Sequence, residues 1–202
     1  KWILSKRYRL ESNKKIMRII SGKLKGKSID FLKNSTTRPL KDSVKENIFN
    51  ILKHSNLINV KIEKKNILDL YSGVGSFGLE CISRGAKKVS FVECDQNALK
   101  TLNKNLIKLS IVDQAEVNFG KIENFLIKNK KKKYSLFFLD PPFSDTDFIG
   151  NLDLIKKNNT YLNEHIVIIH REKNSNDNIN NILSILVTKT YGRSKVIFGK
   201  FK

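Results

Sequence analysis

Cysteine and histidine are scarce in this chain. Its 202 residues include two cysteines, Cys81 and Cys94, and three histidines. Two cysteines are too few for a disulfide scaffold and too isolated for a zinc site, and His54, His165 and His170 have no metal-ligand spacing. The sequence therefore predicts no metal site and assigns no chemistry to the histidines. Both cysteines are expected to pack as small hydrophobic side chains in a reducing compartment, the cytoplasm.

Long apolar runs are also lacking. No stretch approaches the roughly 20 apolar residues that span a bilayer, and the first residues lack the apolar centre of a signal peptide. A hydrophobic content of 40% and a charged content of 29% are ordinary for a globular protein. We therefore expect one substantial α/β domain with at most a small appendage.

Acidic residues are few relative to basic ones. There are 19 Asp and Glu against 39 Lys and Arg, which gives a formal net charge of +20. The basic residues comprise 32 Lys and 7 Arg, a ratio that a general compositional bias toward lysine would also produce. However, residues 1–41 hold 13 of the basic residues and only two acids, Glu11 and Asp30. Because the excess is concentrated there, it favours a polyanionic partner, nucleic acid first.

The N-terminal part divides into segments of different character. Residues 1–16 are basic and without period, so we expect a poorly ordered extension, with Met17, the single methionine, as the biological start. The stretch "MRIISGKLKGKSIDF" (17–31) predicts a basic β-hairpin. We assign 17–60 to a small N-terminal unit and 61–202 to the main domain.

A helix is predicted within "TTRPLKDSVKENIFNIL" (36–52). Ser43 is followed three residues later by Glu46, which is the pattern of a capping box at a helix start. An apolar stripe at helical spacing runs behind it, and its members are Val44, Ile48, Ile51 and Leu52.

From about Lys61 onward, apolar strands alternate with helical patterns, which is typical of a parallel sheet covered on both faces. The end differs, because "LVTKTYGRSKVIFGKF" predicts a hairpin that turns at 191–194. The sequence thus predicts an α/β fold of mostly parallel strands that finishes with an antiparallel pair. The predicted strands are 66–72, 88–95, 115–121, 134–142 and 165–173, and the predicted helices are 76–85, 97–109, 122–130 and 147–158.

The stretch "LDLYSGVGSFGLE" (68–80) closes the first of these strands and opens a helix. Its Gly73, Gly75 and Gly78 satisfy G-x-G-x-x-G, a pattern shared with nicotinamide-dinucleotide oxidoreductases. Asp69, however, would repel a pyrophosphate at this loop. S-adenosylmethionine fits better, since it carries an ammonium and a sulfonium and no phosphate. Glu93 ends the next strand, where a carboxylate accepts both hydroxyls of an adenosine ribose.

"FLDPPF" ends the fourth strand of the predicted sheet. Asp140 precedes Pro141 and Pro142, whose rings fix the backbone, and Phe143 follows them. A carboxylate oxygen and a turn carbonyl can together accept two hydrogens from an exocyclic NH₂ group, while Phe143 stacks on the base that bears it. Two acceptors favour the pyramidal amine whose lone pair points at a methyl sulfonium. These four residues are the predicted catalytic group, and the simpler alternative is a turn that merely ends a strand.

These motifs resemble the class I S-adenosylmethionine methyltransferases that methylate amino groups. With "MRIISGKLKGKSI" and "RPLKDSVKENIFNIL" added, the chain from Met17 onward is similar to the bacterial 16S rRNA guanine-N2 methyltransferases that modify guanine 966. The resemblance implies a Rossmann-like, seven-stranded sheet with an antiparallel last strand, plus a small N-terminal β-hairpin. It implies S-adenosyl-L-methionine as the cofactor. It also implies 16S rRNA as the substrate, in a small ribosomal subunit or an assembly intermediate, with naked RNA as the alternative. A cytoplasmic monomer is the default expectation for the enzyme.

The resemblance carries further residues with it. Arg38, Pro39, Asp42 and Lys45 are expected against the mouth of the active site, where Arg38 and Lys45 contact RNA phosphates or orient the acid. The alternative is a helix with a charged outer face. The expected substrate-binding residues in full are Lys23, Lys25, Arg38, Pro39, Asp42 and Lys45.

One position departs from the family pattern. Lys121 stands where the third strand often ends in an acid or amide that pairs with the adenine amino group, and lysine cannot accept a hydrogen bond. Adenine contact then falls to backbone groups around 120–122 or to Asn118. The expected cofactor-binding residues in full are Asp69, Tyr71, Ser72, Gly73, Gly75, Gly78, Glu93, Cys94 and Lys121.

Three further functions share parts of this pattern. A DNA or RNA adenine-N6 methyltransferase would hold its amine in the same way, between the Asp140 carboxylate and a turn carbonyl, a pair that we call the amine clamp. However, 202 residues leave no room for a large target-recognition domain. A protein-glutamine methyltransferase more typically carries asparagine in place of Asp140. A catalytically inactive RNA-binding protein would show loss of Asp140 or of the glycine loop, and both are intact.

Overall fold

A computed structural model describes residues 17–32 and 40–202. Two predictions lie outside these described residues: the N-terminal extension over residues 1–16 and the substrate-binding role of Arg38 and Pro39. The strands are β1 (Met17–Arg18), β2 (Ser28–Ile29), β3 (Asn66–Leu70), β4 (Lys88–Glu93), β5 (Ala115–Phe119), β6 (Tyr134–Leu139), β7 (Tyr161–Glu172), β8 (Leu183–Tyr191) and β9 (Ser194–Phe201). The helices are α1 (Asp42–His54), α2 (Ser76–Ser83), α3 (Gln96–Lys108), α4 (Ile122–Lys128) and α5 (Phe148–Lys157).

Seven of the strands form one sheet in the order β5-β4-β3-β6-β7-β9-β8. Neighbours from β5 to β7 run parallel, whereas β9 is antiparallel to both β7 and β8. The predicted Rossmann-like sheet with an antiparallel last strand is confirmed. The chain moves outward from β3 to β5 and then returns to β6 on the other side of β3. In open α/β sheets, ligands bind at the carboxyl edge beside such a reversal.

Two apolar layers cover the two faces of the sheet, so its central strands β3, β4 and β6 are almost fully buried. Ile67 and Leu68 are neighbours on β3 and point to opposite sides, and neither has exposed surface. The Ile67 side is packed by apolar residues of α1, α2 and α3, and the Leu68 side by those of α4 and α5. This arrangement follows from near-continuous apolar strands, which no single covering layer could bury.

The N-terminal β-hairpin is confirmed, since β1 and β2 pair antiparallel. It is docked on α2 through buried polar groups. The Glu80 carboxylate, which has no exposed surface, accepts hydrogen bonds from the amides of Ile20 at 2.8 Å and Ser21 at 2.9 Å. Gly22 has φ +85°, and a Cβ there would lie 2.0 Å from the Ser83 carbonyl oxygen. The hairpin therefore packs into the main body, and the division at residue 60 stays a prediction.

Two local predictions are wrong. Helix α1 begins at Asp42 with Lys41 as its N-cap and no side-chain capping bond, so Ser43 and Glu46 form no capping box. Ser43 lies inside the helix, and Asp42 instead places a negative charge in the first turn, where the helix dipole favours it. Cys81 is buried as predicted, whereas Cys94 is exposed because it follows the carboxyl end of β4.

In the part of the chain that the structure describes, no helix has both the length and the apolar character needed to cross a membrane.

Candidate active site

A cavity of about 1410 Å³ opens at the carboxyl edge of the sheet. Strand pairing explains its lining: Asp69 of β3 lies opposite Phe138 of β6, so the glycine loop after β3 and the turn after β6 emerge side by side. The cavity brings together these predicted residues: Asp69, Tyr71, Ser72, Gly73, Glu93, Cys94, Asp140, Pro141, Pro142 and Phe143.

Asp69 is a buried carboxylate at the floor of this cavity, with 1% of its surface exposed. Its Oδ2 accepts a hydrogen bond from the Gly78 amide at 2.9 Å. Burial raises the pKa of Asp69 well above its ordinary value, and the nearby charges of Asp140 and Glu93 act in the same direction. A cation placed beside this carboxylate would therefore gain a strong partner.

Glu93 is held in place by three backbone amides. Its Oε2 accepts from Gly73 at 2.6 Å, and its Oε1 accepts from Cys94 at 2.8 Å and from Asp95 at 2.7 Å. Each carboxylate oxygen has two lone pairs, so Oε1 is fully used and one acceptor position remains on Oε2 for a hydroxyl group in the cavity. Glu93 thus fixes the start of the glycine loop and also lines the ligand space.

The loop between β3 and α2 turns sharply through left-handed backbone. Gly75, the N-cap of α2, has φ +86°, and Tyr71 adopts φ +58° although it is not a glycine. The Tyr71 hydroxyl accepts a hydrogen bond from Asn151 Nδ2 at 3.1 Å, which anchors the loop to α5. Burial raises the pKa of Tyr71, so the hydroxyl stays neutral.

The turn after β6 presents Asp140 and Phe143 to the cavity. Asp140 Oδ1 lies 2.7 Å from His170 Nδ1. Phe143 is 43% exposed, and its ring stands roughly edge-on to the His170 imidazole, with centroids 6.1 Å apart. An exposed aromatic face beside a fixed carboxylate suits a flat base that carries an amino group.

Arg171 holds the backbone of the same turn. Its Nη1 donates to the Pro142 carbonyl at 2.9 Å and its Nη2 to the Phe143 carbonyl at 3.2 Å. Asp177 binds the other edge of the guanidinium through two bonds of 3.0 Å. Two carbonyls of the turn are therefore occupied by Arg171 and are not available to a substrate amine. The candidate acceptors are then the Asp140 side chain and the carbonyls of Asp140 and Pro141.

Sequence reasoning missed both His170 and Arg171. Their signal was the string "IVIIHREK", in which polar residues follow an apolar run at the carboxyl end of a buried strand. That string becomes informative only once β7 is known to lie next to β6.

Lys45 was expected to contact RNA phosphates or to orient the acid. The phosphate contact is wrong, because Lys45 has no exposed surface. Its Nζ donates to the Arg18 carbonyl at 3.2 Å and to Ser76 Oγ at 3.1 Å, and it lies 3.5 Å from Asp42 Oδ1. Burial lowers the pKa of Lys45. The residue ties α1, the hairpin and the start of α2 together, and no phosphate can reach it in this conformation.

The other predicted lysines lie outside the cavity lining. Lys23 and Lys25 are on the exposed side of the hairpin, and Lys23 Nζ donates to Gln114 at 2.6 Å. Lys121 is exposed at the start of α4. Asn118 uses its amide to bind the carbonyls of Phe91 and Glu116, at 3.3 Å each. Which group contacts the adenine therefore stays a prediction.

Within residues 17–32 and 40–202, no cluster of three His, Cys, Asp or Glu side chains could hold a metal ion.

Comparison with known proteins gives a consistent result. The family model described as Conserved hypothetical protein 95 matches residues 17–200. A relative named Ribosomal RNA small subunit methyltransferase D from Buchnera aphidicola is 34% identical over 174 residues, which cover 86% of this chain and 83% of the relative. The protein of the same name from Haemophilus influenzae is 33% identical over 159 residues, covering 78% and 79%.

Solved structures agree with this match. A putative methyltransferase from Escherichia coli aligns with a TM-score of 0.78 and 26% identity, over 93% of this chain and 98% of that one. A putative methylase from Haemophilus influenzae aligns with a TM-score of 0.72 and 30% identity, over 93% and 99%. The fold is that of the class I methyltransferases, whose cofactor is S-adenosylmethionine.

The residues at this edge fit that cofactor. Asp69 offers a buried carboxylate to an ammonium or sulfonium, and Glu93 Oε2 offers its remaining acceptor position to a ribose hydroxyl. A Cβ at Gly73 would meet nothing within 4 Å, so the space beside this part of the loop is open to a ligand. The predicted cofactor, S-adenosyl-L-methionine, is confirmed.

Proposed function

We propose that this chain, which belongs to the Conserved hypothetical protein 95 family, is an N2-specific guanine methyltransferase. It transfers a methyl group from S-adenosylmethionine to the exocyclic N2 of a guanine in 16S rRNA. The nucleotide is guanine 966. The names of the relatives from Buchnera and Haemophilus support an rRNA substrate. The net charge of +20 supports binding to a polyanion. The enzyme acts as a monomer in the cytoplasm, on a small ribosomal subunit or an assembly intermediate.

One observation carries this proposal: Asp140 and Asp69 line the same cavity from neighbouring strands. Strands in a sheet lie about 4.8 Å apart, so a cation held by Asp69 and an amine held by Asp140 come close together. Among the described residues, the second Asp140 oxygen, Oδ2, has no hydrogen-bond partner. We assign this oxygen to accept a hydrogen from the substrate.

The residues of the turn have separate tasks in the reaction. Bound S-adenosylmethionine supplies an electrophilic methyl group on a sulfonium. Asp140 accepts one hydrogen of the guanine amine, a carbonyl of Asp140 or Pro141 accepts the other, and Phe143 stacks on the base. This arrangement points the nitrogen lone pair at the methyl carbon. As the N–C bond forms, the bond from the methyl carbon to sulfur would break and leave its electron pair on the sulfur of S-adenosylhomocysteine. The nitrogen would then carry positive charge, which Asp140 stabilises before it takes the proton.

The amine clamp alone does not distinguish guanine N2 from adenine N6, because both are planar exocyclic amines. Guanine is favoured by the resemblance of the N-terminal block, which lies within the residues 17–200 that the family model matches. An adenine-N6 activity would use the same Asp140 and Phe143 with a different base orientation. The bases therefore have to be distinguished by the product.

The test uses tritiated S-adenosylmethionine with free 16S rRNA and with small ribosomal subunits, both lacking the modification. The RNA is digested and the nucleosides are separated. We expect label in N2-methylguanosine. Label in N6-methyladenosine would retain the clamp and overturn the substrate, and absence of label from a protein that binds S-adenosylhomocysteine would overturn the proposed function.

A further inference from the structure

His170 lies directly beside the predicted catalytic carboxylate. Leu139 of β6 pairs with Ile169 of β7, and Asp140 and His170 are the next residues on the two strands. Their side chains meet at 2.7 Å between Oδ1 and Nδ1. The His170 side chain is 11% exposed and that of Asp140 is 23% exposed, so the contact is largely shielded from water at the wall of the cavity.

The chemistry of the pair fixes where the proton lies. An ionised carboxylate only accepts hydrogen bonds. His170 must therefore carry a hydrogen on Nδ1 and donate it to Asp140. This bond occupies Oδ1 and leaves Oδ2 for another donor.

We propose that His170 is a positioning residue: its Nδ1–H sets the rotation of the Asp140 carboxylate so that Oδ2 is the oxygen that accepts a hydrogen from the substrate amine. This inference rests on the proposed function, since it names the partner of the same carboxylate. His170 does not touch the base or the methyl group and acts through Asp140.

Among the described residues, the other groups of the turn do not hold this side chain. Arg171 binds the carbonyls of Pro142 and Phe143, and the two proline rings fix the adjacent backbone. None of these groups restrains the terminal torsion of Asp140, which is broad in aspartate. His170 and Arg171, neighbours on β7, therefore hold the side chain and the backbone of the turn independently.

Two substitutions of His170 separate positioning from packing. His170→Asn keeps an N–H donor the same number of bonds from Cα as Nδ1. His170→Leu keeps apolar bulk and removes the donor. We expect His170→Leu to lower kcat by about ten- to hundredfold, since misplacement of a catalytic group on the order of 1 Å costs about that much. The KM for S-adenosylmethionine should stay within a few-fold.

The asparagine variant should recover most of the lost kcat. The control is His54→Asn, since His54 lies exposed at the end of α1 and should leave kcat unchanged. If the asparagine and leucine variants are equally impaired, or if the leucine variant equals the wild type, the positioning role is overturned. If the wild type itself transfers no methyl group, it is the proposed function that fails.

A second measurement does not depend on activity. The chain has three histidines, so ¹⁵N-histidine NMR can resolve each ring. His165 is an internal reference for a protonated Nδ1, because its Nδ1 lies 2.7 Å from the Leu162 carbonyl and its Nε2 accepts from the Phe201 amide at 2.9 Å.

We expect the His170 ring to show a protonated Nδ1 in the wild type and to change its spectrum in Asp140→Ala. The His165 signals should not change. An unprotonated Nδ1 on His170, or a spectrum that Asp140→Ala leaves unaltered, would overturn the proposed hydrogen bond.

Discussion

The amide of Gly78 donates to Asp69 Oδ2 at 2.9 Å, and a Cβ on Gly78 would lie 2.9 Å from that same oxygen and 2.2 Å from the Phe91 ring. The third glycine of the loop is therefore required for α2 to approach β3 closely enough to bind the acid. The acid is buried as a result, with its pKa raised well above the ordinary value.

This burial predicts proton release when the cofactor binds. Ligand-free Asp69 stays protonated at pH values between its ordinary and its raised pKa, whereas pairing with an ammonium requires the ionised form. Affinity for S-adenosylhomocysteine should therefore rise with pH across that window. Calorimetry in buffers of different ionisation enthalpy measures the released proton. Asp69→Asn should abolish the release, and an unchanged release in that variant would contradict the prediction.

The same shift has a consequence for folding. A carboxyl whose pKa is raised by folding favours the folded state at low pH, and this contribution is lost as pH rises from the unfolded pKa through the folded pKa. The ligand-free protein should lose stability across that range, and the cofactor should restore it. The loss is measured as the free energy of unfolding in urea across this pH range, with and without S-adenosylhomocysteine, for the wild type and for Asp69→Asn.

Removal of the Asp140 carboxylate should stop catalysis and spare cofactor binding. Asp140→Ala deletes the acceptor for the substrate amine, and loss of one such group costs on the order of 10²–10³ in kcat. S-adenosylhomocysteine affinity should stay within a few-fold. Asp153→Ala, on the outer face of α5 where it pairs with Lys157, is the matched control. A collapse of cofactor binding in Asp140→Ala would mean that the residue is structural.

The docking of the hairpin can be tested with two glycines. Gly22 and Gly26 have φ of +85° and +83°, but a Cβ at Gly22 meets the Ser83 carbonyl at 2.0 Å whereas one at Gly26 meets nothing within 4 Å. Gly26→Ala should lower the free energy of unfolding by about 1–2 kcal/mol, the cost of left-handed backbone. Gly22→Ala should cost clearly more, on the order of 3 kcal/mol or above. Equal costs in thermal or urea unfolding would contradict the docked hairpin.

Two lysines should differ in their effect on RNA binding. Lys25 is exposed on the hairpin, so Lys25→Gln should weaken RNA binding and lower the salt slope of log Kd by about 1. Lys45 is buried, so Lys45→Met should leave the slope unchanged. It should instead lower stability by about 1–3 kcal/mol, because its acceptors lose their donor. A reduced salt slope for Lys45→Met would show that the residue reaches phosphate.

The main elements could be predicted because their signals are local. Five of the sheet strands are apolar runs bounded by polar residues, and their predicted starts agree with the structure to within a few residues. The glycine loop and the Asp-Pro-Pro-Phe turn line one cavity, because the carboxyl ends of parallel strands lie at the same edge of the sheet.

The burial of Lys45 was not predicted from the sequence, because lysine side chains are usually exposed. Ile48, Phe49 and Leu52 follow it at helical spacings of three, four and seven, which places Lys45 on the apolar face of α1. The pattern was present in the sequence, but lysine is almost never fully buried unless paired. The Arg18 and Ser76 oxygens that satisfy it come from distant segments.

His170 could not be linked to Asp140 from the sequence for a different reason. The two residues are 30 positions apart, and only the pairing of β6 with β7 makes them neighbours. Local patterns give the strands but not their order in the sheet. The family resemblance implied a Rossmann-like sheet with an antiparallel last strand but did not extend to this histidine.

The most direct test of the central claim is to map the methylated nucleotide. Small ribosomal subunits that lack the modification are treated with S-adenosylmethionine and either the wild type or Asp140→Ala, and the 16S rRNA fragment around guanine 966 is examined by mass spectrometry. We expect one added methyl group on N2 of that guanine with the wild type and none with the variant in the same reaction time. A methyl group on another base, or equal methylation by Asp140→Ala, would contradict this expectation.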